Sequence, residues 1–255
     1  MNILSFFAFK HPNIIFIIIF SSALNNLLIS QNQPISPLMY SYQEHTALKS
    51  TSPYGLEWVH LGPTLNGARV EAIQSDPNKP GTIYAAFGSG GLWKTINNGL
   101  DWNPIFENMP SLGIGDIAIA PSNTEIIYVA TGESLKKARN FTMPGTGVYR
   151  SNNGGDTWAH IGLNDTWHIG EIVVHPNNPD IVLVAAQGHF WSSNENRGIF
   201  RTDDGGKSWN HVLFIDENTG ANDIVFSRAN PKIVYATTWE NYPDVNGKKS
   251  AVYKS

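Results

Sequence analysis

The 255-residue chain contains no cysteine. That excludes a disulfide scaffold, a thiolate metal site and a cysteine nucleophile. Charge is also scarce. Asp, Glu, Lys and Arg together make 15% of residues, the formal net charge is −4, and Lys and Arg form no cluster. The electrostatic footprint that nucleic acid requires is therefore missing. Long apolar stretches are missing too. The longest unbroken run covers 14–20, well short of the ~20 residues a membrane helix needs. What is abundant points elsewhere. Hydrophobic residues at 41% exclude a wholly disordered chain. The 23 Gly, 15 Pro, 8 Trp and 9 Tyr suit many turns between aromatic strands.

The apolar run follows Lys10 and precedes small and polar residues, Ser21, Ser22 and Ala23. A cation, a short apolar core and small residues read as a secretory signal peptide over 1–30, cut after Ala23 or Ser30. An uncleaved anchor is the alternative and would be the one link to a membrane. Residues 31–55, with Pro34, Pro37, Ser41, Ser50 and Pro53, show no periodicity and read as a linker.

From 56 to 255 the chain repeats. Three boxes share one pattern: Thr95-Ile-Asn-Asn-Gly-Leu-Asp-Trp102, Ser151-Asn-Asn-Gly-Gly-Asp-Thr-Trp158 and Thr202-Asp-Asp-Gly-Gly-Lys-Ser-Trp209. Each follows an aromatic and a cation: Trp93-Lys94, Tyr149-Arg150, Phe200-Arg201. A second element recurs at 73–84, 117–128, 172–183 and 224–235: an apolar strand, a turn rich in Pro or Asn, and a β-branched strand. Each unit therefore reads as four strands, A to D, with the box on the C–D hairpin. Four-stranded repeats of 40–55 residues imply propeller blades. The expected fold is all-β, a partial β-propeller of four-stranded antiparallel blades. It comprises a lone strand D at 56–62 around Trp58, three blades over about 67–213, and an incomplete blade at 219–255. Sixteen strands could also close as a small four-bladed ring; an open arc of a larger ring is preferred, because the last repeat stops within its motif.

The box residues fit a folding role. Asn97, Asn153 and Asp204 can bond N–H groups of their own turn. Gly99, Gly155 and Gly206 can take positive φ. Thr95, Ser151 and Thr202 add a local bond, and Trp102, Trp158 and Trp209 bury a large ring against the sheet. The matching His60, His160 and His211 also read as structural.

These boxes are similar to the Asp-box, or bacterial neuraminidase repeat. With Ala130-Thr-Gly-Glu133, Gly188-His-Phe-Trp191, Asp216-Glu-Asn-Thr-Gly-Ala221 and Ala236-Thr-Thr-Trp239, the pattern resembles sortilin-type propellers. It resembles in particular the long secreted bacterial relatives labelled glycosyl hydrolases. The resemblance implies an N-terminal fragment, with further blades of the same protein missing. Sialidases, which share the box, have an Arg-Ile-Pro segment and an arginine triad; the segment is absent and Arg is scarce. Xyloglucanases with this box carry a catalytic Asp in Thr-Asp-Ile-Gly-Gly. The corresponding stretch here is Phe87-Gly-Ser-Gly-Gly91, with Gly88 at the Asp position. A glycosidase needs two carboxyl groups facing the bond, so this chain alone is not expected to cleave glycans.

Ligand-binding residues are expected where the repeats diverge, on B–C and D–A loops that share one face. The candidates are Arg69, Glu133, Arg139, Asn140, Trp167, His168, His189, Trp191, Arg197, Trp239 and Glu240. Aromatics beside Arg and Glu suit a sugar or a peptide. No set of residues has metal-ligand spacing and no glycine loop opens a helix, so neither metal nor cofactor is expected. The leading expectation is a secreted binding module for a peptide, protein or glycan. The alternative is part of a polysaccharide-active glycoside hydrolase with catalytic residues partly outside this chain, and a third is a purely structural or assembly propeller.

Overall fold

In the computed structural model, residues 35–54, 68–134, 142–240 and 249–255 are described. The expected signal peptide, the lone strand at 56–62, and Arg139 and Asn140 lie outside them. Fifteen strands form four antiparallel sheets, each made of consecutive strands. The first holds β1 (Val70–Ser75), β2 (Ile83–Phe87), β3 (Gly91–Thr95) and β4 (Asn103–Pro104). The second holds β5 (Ile114–Ile119), β6 (Ile127–Thr131), β7 (Val148–Ser151) and β8 (Ala159–His160). The third holds β9 (Ile169–Val174), β10 (Val182–Ala186), β11 (Gly198–Thr202) and β12 (Asn210–Leu213). The fourth has three strands, β13 (Thr219–Phe226), β14 (Val234–Glu240) and β15 (Val252–Lys254). This is a partial β-propeller.

The core lies between blades, not within them. Tyr84, Leu92 and Phe106 of the first blade pack with Ile114, Ile117, Val129 and Tyr149 of the second. Ala118, Tyr128 and Val148 pack with Ile172, Val184 and Phe200 of the third. Leu183, Ala185 and Ile199 pack with Ala221, Ile224 and Ala236 of the fourth. Central strands such as β6 and β10 are buried along their whole length, which is why they read as continuous apolar runs. Strand A of each blade carries a bulge near its start, at 71, 115, 170 and 222.

The box tryptophans of the second and third blades tie each to the blade before it. The Trp158 indole donates to Ile105 O at 2.8 Å, and that of Trp209 to Ile161 O at 2.7 Å. The preceding cation adds a second tie: Lys94 Nζ donates to Gly154 O at 2.8 Å and Arg150 Nη1 to Gly205 O at 3.2 Å.

One segment departs from expectation. Where an aperiodic linker was read, Pro37–Thr51 forms helix α1. Ser36 caps it by accepting from Met39 N, and Pro37 opens it. Its Met39 is buried and accepts from Tyr149 OH at 3.6 Å, while most of its other residues are exposed. A helix with no apolar stripe leaves no 3.6-residue period to find.

Candidate functional site

The three boxes share one hydrogen-bond set. The hydroxyl of Thr95, Ser151 or Thr202 accepts from the glycine N–H four residues on, at 2.9 Å each time. It donates to Asn97, Asn153 or Asp204 at 2.8–2.9 Å. The side-chain oxygen of the Asn or Asp then accepts the N–H four residues further on, at 2.9–3.0 Å. The glycines sit at φ +87°, +92° and +93°, where a β-carbon is disfavoured. The hydroxyl, the Asn or Asp oxygen and the glycine N–H of each box are occupied within its own turn, which makes the box a structural staple.

The opposite face is built differently. At the start of β1, Arg69 Nε donates to Glu71 Oε1 and its Nη2 to Glu133 Oε1, both at 2.6 Å. Glu133 follows β6 on the second blade, so this ion pair crosses a seam. A β-carbon on Gly88 would lie 2.8 Å from Glu71 Oε1 and 3.0 Å from Glu133 Cγ. The place of a residue-88 side chain is filled by two carboxylate side chains from elsewhere.

His168 carries the line of contacts onward. Its Nδ1 donates to Glu133 O at 2.9 Å, since a carbonyl can only accept, and its ring stacks on Phe190 at 4.1 Å. Burial lowers its pKa to about 4, so the ring is neutral at pH 7. Gln187 bonds Ser134 Oγ at 3.5 Å and also donates to Asn222 Oδ1. Arg69, Glu133, Gln187 and Asn222 thus link all four blades along the inner rim.

Above this belt lies an aromatic shelf. The Trp167 ring stacks on His189 with centroids 3.9 Å apart. His189 Nε2 meets Asp165 Oδ1 at 3.1 Å, and Asn196 donates to Asp165 Oδ2 at 3.1 Å. Trp167 is held at φ +56°, costly for a bulky residue. Its carbonyl accepts from Gly145 N at 2.6 Å, and a β-carbon on Gly132 would fall 1.8 Å from that oxygen. Two residues beyond His189, Trp191 stands 55% exposed. Trp239 and Glu240 end β14 half-buried, with Glu240 Oε2 accepting from Lys249 N at 3.2 Å.

The expected site residues therefore divide. Arg69, Trp167, His189, Trp191, Trp239 and Glu240 keep surface on the loop face, whereas Glu133, His168 and Arg197 are buried beneath it. Sequence reasoning passed over Gln187 and the acids of the inner strands. Asp116, Glu171 and Asp223 each precede the repeated isoleucine of strand A, and aligning that strand alone would have found them. Asp116 Oδ2 accepts from Ile172 N across a seam at 2.9 Å. Burial holds the carboxyls of Asp116 and Glu171 well above the ordinary range, and the charge of Asp223 adds to both and that of Asp116 to Glu171. A cavity of ≈ 430 Å³ lies along the inner strands, lined by Gln74, Glu171, Pro176, Phe226 and Arg228 among others, and by none of the expected site residues. Among the described residues no group of three His, Asp or Glu could hold a metal ion, and no helix is long and apolar enough to cross a membrane.

No protein-family model matches the chain. In sequence it is similar to the xyloglucanase Xgh74A of Acetivibrio thermocellus, 26% identical over 172 residues, covering 56% of this chain and 20% of that protein. A probable oligoxyloglucan-reducing end-specific xyloglucanase of Neosartorya fischeri is 25% identical over 183 residues, covering 69% and 20%. The chain thus spans about a fifth of the length of these curated relatives. Among solved structures it is similar to an ancestral GH74 enzyme, with a TM-score of 0.55 and 23% identity over 76% of this chain and 23% of that one. That likeness places the fold among β-propellers.

Proposed function

We propose that this chain is the sugar-binding arc of a secreted, polysaccharide-active propeller, with catalytic carboxyl groups lying at least partly outside it. The observation that carries this reading is the aromatic shelf: Trp191 open to solvent, and Trp167 stacked on His189, on the face where the repeats diverge. Apolar ring faces with a few placed polar groups are what a sugar ring needs. Similarity to two xyloglucanases supports a glycan over a peptide. The sortilin-type and Asp-box kinship read from the motifs belongs to this proposal, as does secretion.

Gly88 argues against a complete active site within the chain. The resemblance puts an aspartate there, and hydrolysis needs two carboxyl groups across the bond. The slot is instead closed by Glu71 and Glu133, both engaged by Arg69. The chain is accordingly assigned binding, and bond cleavage is assigned to residues beyond it.

Native electrophoresis of the whole chain in gels cast with xyloglucan, mixed-linkage β-glucan or no polysaccharide tests the reading. Retardation by a glucan, lost in Trp191→Ala, is expected. No retardation by any polysaccharide, with capture on a peptide array instead, would overturn it in favour of a secreted interaction module.

A further inference from the structure

We infer that Arg197 is the positioning residue of the loop face: from beneath the 188–198 loop it fixes the direction in which Trp191 points. The ligand side of this inference rests on the glycan-binding reading; the conformational side does not.

Arg197 is 0% exposed, so no ligand touches it. Its guanidinium is aimed at the loop's own backbone. Nη1 donates to Gln187 O at 2.8 Å, and Nη2 donates to Ser192 O at 3.1 Å and also to His189 O. The last two carbonyls flank Phe190 and Trp191, so one planar group grips the chain on both sides of that dipeptide. With both ends held, the two side chains diverge. Phe190 turns inward, 2% exposed, onto His168, while Trp191 turns outward.

Arg197 is itself anchored. Its carbonyl accepts from His211 Nε2 at 2.6 Å, and the His211 ring stacks on Phe200 at 4.1 Å. The grip is thereby referred to strands β11 and β12, not to another loop. The loop's other holds, His189 and Asn196 on Asp165 and Asn194 N on Glu217 O, grip other points of the loop and not Trp191 itself. Gly188 and Gly198 at its ends lie at φ +78° and +107°, and neither side-chain amide atom of Asn194 bonds a described residue. Without the grip of Arg197 on the carbonyls either side of it, the exposed Trp191 would sample several directions, and a ligand would bear the cost of choosing one.

The chemistry requires arginine. The fork of guanidinium donors spans carbonyls three residues apart, whereas a lysine ammonium on a flexible stem concentrates its donors at one point. Burial lowers the Arg197 pKa to about 10, which leaves it fully charged at pH 7.

The test uses the whole chain grown with fluorotryptophan and observed by fluorine NMR, with the Trp191 line assigned by its loss in Trp191→Phe. In Arg197→Lys and Arg197→Ala the Trp191 line is expected to move towards the position of a mobile, solvated indole, while the Trp158 and Trp209 lines stay in place. Millimolar guanidinium should return the line in Arg197→Ala. Glucan affinity should fall by about tenfold in both variants, the scale of immobilising one side chain and its loop. If Arg197→Ala fails to fold, Arg197→Lys carries the test. An unmoved Trp191 line in a folded variant overturns the inference. If the wild type retains no glycan, the binding reading fails but the NMR comparison still decides the role of Arg197.

Discussion

Trp158 and Trp191 place the same side chain in opposite settings. Trp158 sits in a box, its ring 5.3 Å edge-on from Phe106 and its N–H spent on Ile105 O. Trp191 sits on a loop whose sequence does not recur in the other blades, its ring open to water and its N–H bonded to no described residue. The contrast extends to everything around them. The recurring hydroxyl, Asn or Asp and glycine groups of the boxes satisfy one another through bonds that recur three times at nearly equal lengths. Loop-face residues are satisfied from below, by buried Arg197, His168 and Glu133, and keep their rings outward. Repetition in this chain marks what holds blades together; divergence marks what meets the outside.

The strongest way to break that division is at the seam. Trp158→Ala removes a partly buried ring together with the bond to Ile105 O. It should cost about 3 kcal/mol, which for a domain of this size is roughly a 10 °C fall in thermal midpoint. Trp158→Phe keeps most of the packing and leaves one carbonyl without its donor, so about 1 kcal/mol is expected. Differential scanning calorimetry reads both. A loss below about 1 kcal/mol for Trp158→Ala would show that the box does not staple the blades.

How far the sequence foretold this division depends on what repeats. The box could be read to the level of individual hydrogen bonds, because hydroxyl, Asn or Asp and glycine return at fixed offsets and each has one local use. Strand order and the loop face followed from the same period. Helix α1 stayed hidden because it has no apolar stripe. Pro104 stands where the other blades have His160 and His211, so the first blade lacks the strand-D histidine that bonds back to the turn before strand C. The burial of Arg197 was not legible at all. An arginine between Asn196 and Gly198 reads as a surface cation, and nothing in the sequence announces three backbone carbonyls converging on it. Charge at an inner-strand position was obscured for another reason: the first blade has Ala72 there, with Glu71 shifted onto the bulge.

Those inner-strand acids offer an intermediate test, since Asp116, Glu171 and Asp223 repeat yet carry charge. Asp116 faces Ile172 N, and the charged group acting on it from the fourth blade is Asp223; Glu171 feels both Asp116 and Asp223. A carboxyl whose pKa is raised by folding binds its proton more tightly folded than unfolded. Its stabilisation is whole below the ordinary carboxylate pKa of about 4 and is lost as pH climbs above it. The stability of the wild type relative to Glu171→Gln should therefore fall between about pH 5 and pH 8, at up to about 1.4 kcal/mol per pH unit, a difference in which the opposing titration of buried His160, His168 and His211 cancels. Glu171→Gln, which stays neutral, should flatten the slope. A slope unchanged in the variant would show that Glu171 ionises in the fold at no cost.

The smallest expected effect is the one that decides what the loop face is for. More than half of the Trp191 surface is already in water, and its ring replaces no carbonyl's or hydroxyl's partner. Truncation to alanine therefore exposes little that is now buried and orphans no polar group. Trp191→Ala should change stability by no more than about 0.5 kcal/mol, a tenth or so of a typical domain's whole stability. The strained Trp167 would remain fixed by its close approach to Gly132 and Gly145, and the carbonyls of His189 and Ser192 would remain fixed by Arg197, so the backbone has no reason to move. A variant that melts with the wild type yet no longer binds glucan would separate the two regions cleanly. One that melts as early as Trp158→Ala would mean that Trp191 is scaffold, and that divergence among the repeats does not identify the working surface.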